Sequence, residues 1–467
     1  MKRRNAKSLS LLIIMCFLFM FVLGACSSSE SGDGASDSPV TTESTETGEN
    51  AEQQEEQSGE EPEPVEVKKF TNEPVTLKVA TQWGEENFMN NFAKDMKELV
   101  PHITFEYVDW NGTAEGIQEI NSSGTIVDLL TPNLGVDVLL NLDMVQPLDD
   151  MVKEYGIDLS TVDPSFLALI RSQDPEGRLI GLTGNGGIYG FFYNKEVFDL
   201  FGVPYPTDNM TWDEVIELAK KMTGTRDGNQ YIGLEFGPDT VDAALLQLST
   251  TLTDPGTGEV LLSKNPEFTK YMELMKKIYS IPGIYNPDEP DKFIQKTAAM
   301  EINWHGFLTW FGGETPEERA EFKKDMDILP IPSWSDIPQT APAVHTAPTV
   351  INPYSEHKEA ALQVLQAIIS IENQTKATRK GTIPATSDVE IRKQFGADNP
   401  DHQGKNVMAM FQNEFALPAA RASVWDKYVD LNEAMKKFAT SDMNIPEFIR
   451  VLEEESAIKI KDAKNQQ

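Results

Sequence analysis

The chain predicts an α/β body with a parallel sheet covered by helices. Three observations carry that expectation. Strand-like and helix-like patterns alternate from about residue 74, hydrophobic residues make up 40% of the 467, and later helices carry legible caps. Val75-Thr76-Leu77-Lys78-Val79-Ala80 alternates apolar and polar residues as a half-buried strand does. Phe88, Phe92 and Met96 then recur at i, i+4 and i+8, the spacing of a helix face. Ile103–Val108 reads as a second strand and Ile126–Leu130 as a third, and this β-α-β order places strands in parallel. Tyr231–Leu234 reads as a strand ending at Glu235. Thr211 and Glu214 have capping-box spacing ahead of a helix to about Met222. Asn265 and Pro266 read as an N-cap followed by a first-turn proline, and Ser355 opens a helix over Glu359–Ile371. The length suits two or three domains or one large two-lobed body.

An address and a spacer precede this body. Lys2, Arg3, Arg4 and Lys7 form a basic start, and Leu11–Leu23 is an unbroken run of 13 apolar residues, too short to span a membrane. Leu23-Gly24-Ala25-Cys26 follows and resembles a bacterial lipobox. Residues 1–25 therefore read as a lipoprotein signal peptide, and Cys26 as the new, lipidated N-terminus. Residues 27–72 carry 13 acidic side chains against Lys68 and Lys69 and are otherwise rich in Ser, Thr, Gly, Gln and Pro. Such a segment buries too little apolar area to order itself, so 26–72 is expected to be a disordered acidic tether.

The formal charge of −34 repels phosphate backbones and anionic lipid, which excludes nucleic-acid binding. Both cysteines, Cys16 and Cys26, lie at the start, so no disulfide, thiolate zinc site or cysteine nucleophile is expected in the body. Five scattered histidines argue against a metal centre, and no cofactor is expected. No G-x-S-x-G, H-E-x-x-H or phosphate loop is present.

The body resembles the extracellular solute-binding lipoproteins of bacterial ABC importers, specifically the large family serving sugar and oligosaccharide transporters. Tyr193-Asn194-Lys195-Glu196-Val197-Phe198 through Gly202, then Thr211-Trp212-Asp213-Glu214, is similar to the family's signature. Phe293 to Ala298-Ala299-Met300 is similar to its next element, with Lys296 or Thr297 where glycine is usual. Leu329-Pro330-Ile331-Pro332, His357–Ala361, Asn373-Gln374 and Gly381–Pro384 follow in the family's order. The resemblance implies a two-lobed periplasmic-binding-protein-like fold of type II, with the ligand cleft between the lobes. Lobe 1 would take 73–182 plus 338–384, and lobe 2 would take 183–337 plus 385–467. It also implies a non-enzymatic, monomeric carrier, lipid-anchored on the extracellular face, whose partners are a carbohydrate and the importer's permease subunits.

A sugar offers apolar C–H faces and a rim of hydroxyls, so its receptor needs flat aromatic surfaces and carboxylate, amide or guanidinium groups. Strand C-terminal ends are where open α/β sheets bind ligands. That places Trp83 and Glu85 after the first strand, Trp110 after the second and Asn133 after the third as candidates. Asn185 in the Gly184–Gly187 stretch and Glu235 at a strand end are expected near the hinge or cleft. The resemblance adds Trp304 with His305, and Trp425 at the start of a C-terminal helix with Arg421 one turn earlier. Two other classes compete: a receptor for a polyamine or peptide, and a secreted glycoside hydrolase using paired carboxylates.

Overall fold

The computed structural model describes residues 67–465 apart from Leu134, Glu289 and Pro290. The signal peptide, Cys26 and the tether up to Glu66 lie outside the described residues.

Two four-stranded sheets organise the body. In the first, Val75–Thr81 is flanked by Ile103–Asp109 and Leu129–Thr131, both parallel to it, and Val350–Ile351 adds an antiparallel edge. Leu77, Val79, Leu129 and Leu130 are fully buried beneath the helices. The covering helix runs on from Glu85 to Leu99, but its middle, Phe88–Ala93, is π-wound. The third strand starts later than its sequence pattern suggests, because Ile126 is exposed and Asp128 turns inward to accept from Lys78 N at 2.8 Å.

The second sheet departs from the all-parallel expectation. Tyr189–Asn194 pairs antiparallel with both Met300–Trp304 and Met326–Leu329, and only the edge strand Glu235–Phe236 is parallel. Phe191, Phe192, Phe293 and Phe307 fill the core around it. The capping box at Thr211 forms, with Glu214 Oε2 accepting from Thr211 N at 2.8 Å, and opens the helix Trp212–Met222. Asn265 caps Pro266–Tyr279 as read.

Three crossing segments join the two sheets side by side. Leu182 bridges Thr349, Gly187 bridges His345, and Asn185–Gly186 pairs with Ile383–Pro384. Gly187 is there for close approach: a Cβ would come within 3.0 Å of the Trp304 ring.

Four expectations need correction. Val67–Asn72 is not free tether: Phe70 stacks on Tyr155 with centroids 4.6 Å apart, and Lys68 N donates to Glu154 O at 2.9 Å. Thr340–Ala341, expected in lobe 1, pairs with Glu414–Phe415 beside the second sheet. The helix after Ser355 runs over Lys358–Ile368, and Ser370 then caps a separate helix, Ile371–Arg379. Arg421 lies in a loop rather than one helical turn before Trp425, which precedes only the short 3-10 turn Asp426–Tyr428. The departure at Lys296 has a clear shape: its φ is +60°, the left-handed region where glycine is unstrained.

Candidate functional site: a cleft at the strand ends

Thr81 and Thr131 are register partners on adjacent parallel strands, and two residues beyond each stand Trp83 and Asn133. The Trp83 indole N–H donates to Asn133 Oδ1 at 3.0 Å, and Gln82 Oε1 accepts from Asn133 N at 3.1 Å. Trp83 is half-buried and meets Phe92 edge-on, with centroids 5.9 Å apart. Phe92 thus covers part of the ring system, which lines a cavity of about 480 Å³, within the usual range for small-molecule pockets.

Asn133 and Asn185 also line this cavity. The 85–99 helix adds Asn87, Asn91 and Asp95, and the crossing segments add Thr183 and His345. Asn373 and Lys380 line it as well. Amides and hydroxyls, which both donate and accept, dominate the polar wall. Its carboxylate is compensated: Asp95 lies 2.7 Å from Lys376 Nζ and 3.5 Å from Lys380 Nζ.

Behind the crossing segments sits an aromatic cluster. The His345 ring packs 4.9 Å from Trp304 and 5.1 Å from Tyr189. Burial pulls the His345 imidazole down to about 4, so it is neutral at pH 7, and among the described residues its Nε2 has no hydrogen-bond partner. The Tyr189 hydroxyl reaches Asp242 Oδ1 at 2.9 Å, and burial pushes that carboxyl up to about 6.

The other expected residues are elsewhere. Glu85 is exposed in the first helical turn and does not line the cavity. Trp110 is a core residue, 2% exposed, with its N–H donating to Thr113 O at 3.0 Å. Glu235 accepts from the backbone N–H of Lys292 and Phe293 at 3.0 and 2.7 Å, so its carboxylate holds a turn. Trp304 stands behind Gly187 and His345 rather than on the wall. His305 is tied to Ile188, whose N–H points at His305 Nδ1 from 3.4 Å, and burial pulls it down to about 4. Arg421 is exposed, and Trp425 stacks on Tyr428 with Lys464 Nζ 4.7 Å from its ring centroid.

Asn87, Asn91 and Asp95 carried a signal that went unused: they repeat every four residues, one position before Phe88, Phe92 and Met96. His345, Asn373 and Lys380 had none, because they arrive from more than 200 residues away.

A larger cavity, about 780 Å³, runs beside the edge strand of the second sheet, lined by Leu234, Phe236, Ile284 and Met435 among others. It touches neither the strand ends of the first sheet nor the crossing segments. The smaller cavity does both. Among the described residues no cluster of His, Cys, Asp or Glu is arranged to hold a metal, and no helix is long and apolar enough to cross a membrane.

The sequence model described as bacterial extracellular solute-binding protein matches residues 82–375, well over half of the chain. The arabinooligosaccharide-binding protein of Bacillus subtilis (strain 168) is 23% identical over 251 residues, 50% of this chain and 55% of that one. The chain thus aligns with about half the length of this curated relative. A sugar transporter from Rhizobium etli, solved in an open conformation, has 21% identity and a TM-score of 0.62, covering 82% of this chain and 99% of its own. The sugar-binding protein MalE of Xanthomonas citri has 16% identity and a TM-score of 0.63, covering 84% and 100%. A Listeria monocytogenes ABC substrate-binding protein, in complex with cycloalternan, has 17% identity and a TM-score of 0.57, covering 83% and 99%. These structures share the two-lobed fold.

Proposed function

The chain belongs to the bacterial extracellular solute-binding protein family, and from that premise we propose that it captures a carbohydrate in the cleft at Trp83 and delivers it to an ABC importer. The observation carrying this reading is the Trp83–Asn133 pair: a flat apolar ring fixed at 3.0 Å beside an amide, at the rim of a wall of amides and hydroxyls. That pairing matches the C–H faces and hydroxyl rim of a sugar. The relatives named for sugars and oligosaccharides support the same ligand class.

A carrier rather than a glycoside hydrolase is the reading the cleft wall supports. Glycoside hydrolysis needs two free carboxyl groups across the bond, whereas the described cleft wall offers Asp95, already paired with lysine. A polyamine would need surplus negative charge there, and the same ion pair removes it. We further infer that Cys26 carries the lipid that holds a monomeric protein on the extracellular face, and that binding closes the lobes and excludes water from the sugar's hydrogen bonds.

Titration calorimetry tests the reading with arabino- and malto-oligosaccharides of one to three units, cycloalternan, polyamines and short peptides. A saccharide should bind, and Trp83→Ala should weaken it about tenfold or more, each 1.4 kcal/mol being one decade. Trp212→Ala is the control. Trp212 is 1% exposed and donates to Gln247 Oε1 at 2.8 Å, so the variant should lose about 3–5 kcal/mol of stability without a specific loss of ligand contacts. Binding of a polyamine or peptide with no saccharide bound would overturn the carbohydrate reading.

A further inference from the structure

The larger cavity, about 780 Å³, follows Glu235–Phe236, the edge strand of the second sheet. Gly237 N donates to Ile302 O at 2.8 Å, so Gly237 turns its backbone groups toward the neighbouring strand. Backbone groups of successive strand residues point to opposite sides, and an edge strand leaves one side unpaired. The N–H and C=O of Phe236 therefore point to the open edge, and among the described residues neither has a partner. Native proteins usually cover or charge such an edge. This one runs beside Phe236, Val241, Tyr279 and Tyr285, apolar side chains that line the cavity and are only half-buried.

The wall is apolar, and its charges are mostly spoken for. Ile278, Ile284 and Met435 form its buried part. Glu235 holds the turn at Lys292 and Phe293, Asp239 Oδ1 accepts from Asn432 Nδ2 at 2.7 Å, and Lys436 pairs with Glu433 at 2.7 Å. Asp291 is exposed to solvent. The Tyr279 hydroxyl, by contrast, has no hydrogen-bond partner among the described residues. The groups left to bond are thus neutral: one backbone N–H, one backbone C=O and one phenol.

We propose that this cavity is a second ligand site, separate from the cleft at Trp83, and that it takes a short, extended peptide with uncharged apolar side chains. The peptide pairs its own C=O and N–H with those of Phe236, as a strand added to the edge, and lays its side chains on the apolar wall. A hydrocarbon chain would leave the Phe236 pair unbonded, at a cost, and a sugar would set its hydroxyls against Ile278, Ile284 and Met435. The site stands independently of the carbohydrate reading, because it shares no lining residue with the cleft cavity.

The test is titration calorimetry on the full-length protein with a trivaline peptide blocked at both ends, the same peptide N-methylated at its amides, and octanol. Trivaline should bind one to one, with a Kd below about 1 mM, and should bind equally well when a saccharide fills the cleft. The methylated peptide, which cannot pair as a strand, should bind about tenfold more weakly or worse. Lys436 is exposed on the helix Leu431–Thr440, so Lys436→Trp keeps the core while crowding the cavity. That variant should weaken trivaline about tenfold and leave saccharide affinity within about twofold; Tyr279→Phe should weaken trivaline about threefold. Displacement of trivaline by a saccharide, or full trivaline affinity in a folded Lys436→Trp, overturns the second site. Equal binding of the methylated peptide, or binding of octanol without the peptide, overturns strand addition. No binding of trivaline overturns the proposal and leaves the carbohydrate reading standing, since saccharide binding is measured separately.

Discussion

Trp83 and Asn133, each two residues past the end of neighbouring parallel strands, are joined by one hydrogen bond of 3.0 Å. It fixes the plane of the indole, because Phe92 already blocks one edge. Trp83→Phe keeps an aromatic face and loses the donor, whereas Trp83→Ala loses both. In calorimetry the Phe variant should weaken sugar binding by about threefold, the cost of a modest hydrogen bond, and the Ala variant by about tenfold or more. Equal losses would show that orientation, rather than stacking area, sets the affinity.

The segment ahead of the first strand should contribute to stability. Phe70 stacks on Tyr155 at an interplanar angle of 21°, and Thr71 N donates to Glu359 Oε1 at 2.6 Å. Phe70→Ala should cost about 1–2 kcal/mol, read as a melting point a few degrees lower. A chain starting at Glu73, which also lacks the Lys68 and Thr71 bonds, should lose more than that when compared with one starting at Val67. Unchanged melting in both would show that the contact contributes nothing.

Lys296 holds a left-handed backbone at φ +60°. A side chain there costs about 1–2 kcal/mol, part of which glycine returns through the greater freedom of its unfolded chain. Lys296→Gly should therefore stabilise by up to about 1 kcal/mol, while Lys296→Val, β-branched, should destabilise by more than that. Denaturant titration separates the two; a less stable Gly variant would mean that the Lys296 ammonium, 5.7 Å from the Phe322 centroid, outweighs the strain.

Asp426 gives a pH signature. Burial pushes its carboxyl up from 3.8 to about 6, although Thr253 Oγ1 donates to it at 2.6 Å. Because the folded value is the higher one, its contribution is present below about 4 and is lost as pH rises through 6. Asp426→Asn lacks this titration, so the stability gap between variant and wild type should move in the variant's favour by up to about 3 kcal/mol from pH 4 to pH 7.5. A gap independent of pH would refute the shift.

The first parallel strands, the Thr211 capping box and the Asn265 cap were legible because each is written in a few adjacent residues. The same local logic put Trp83 and Asn133 at strand ends, where they line the cavity, but misplaced Trp110, whose ring folds back into the core. Strand-end position says where a residue is, not which way it turns. Glu235 misled for a related reason: a carboxylate at a strand end also serves a nearby turn. The antiparallel second sheet and the π-turn were hidden. Pairing direction depends on partners over 100 residues apart, and the i, i+4, i+8 pattern of Phe88, Phe92 and Met96 suits either helical winding.

Among the described residues, none lining the cleft cavity belongs to the second sheet. The surface that first meets a ligand is therefore complete on one side of the crossing segments. For a captured sugar this separates arrival from residence. On the proposed carbohydrate reading, the association rate would answer to the wall around Trp83, and the lifetime of the complex to closure of the opposite lobe. Tyr189 and Trp304, both on strands of the second sheet, pack on His345 of the cavity wall and so link that sheet to the wall.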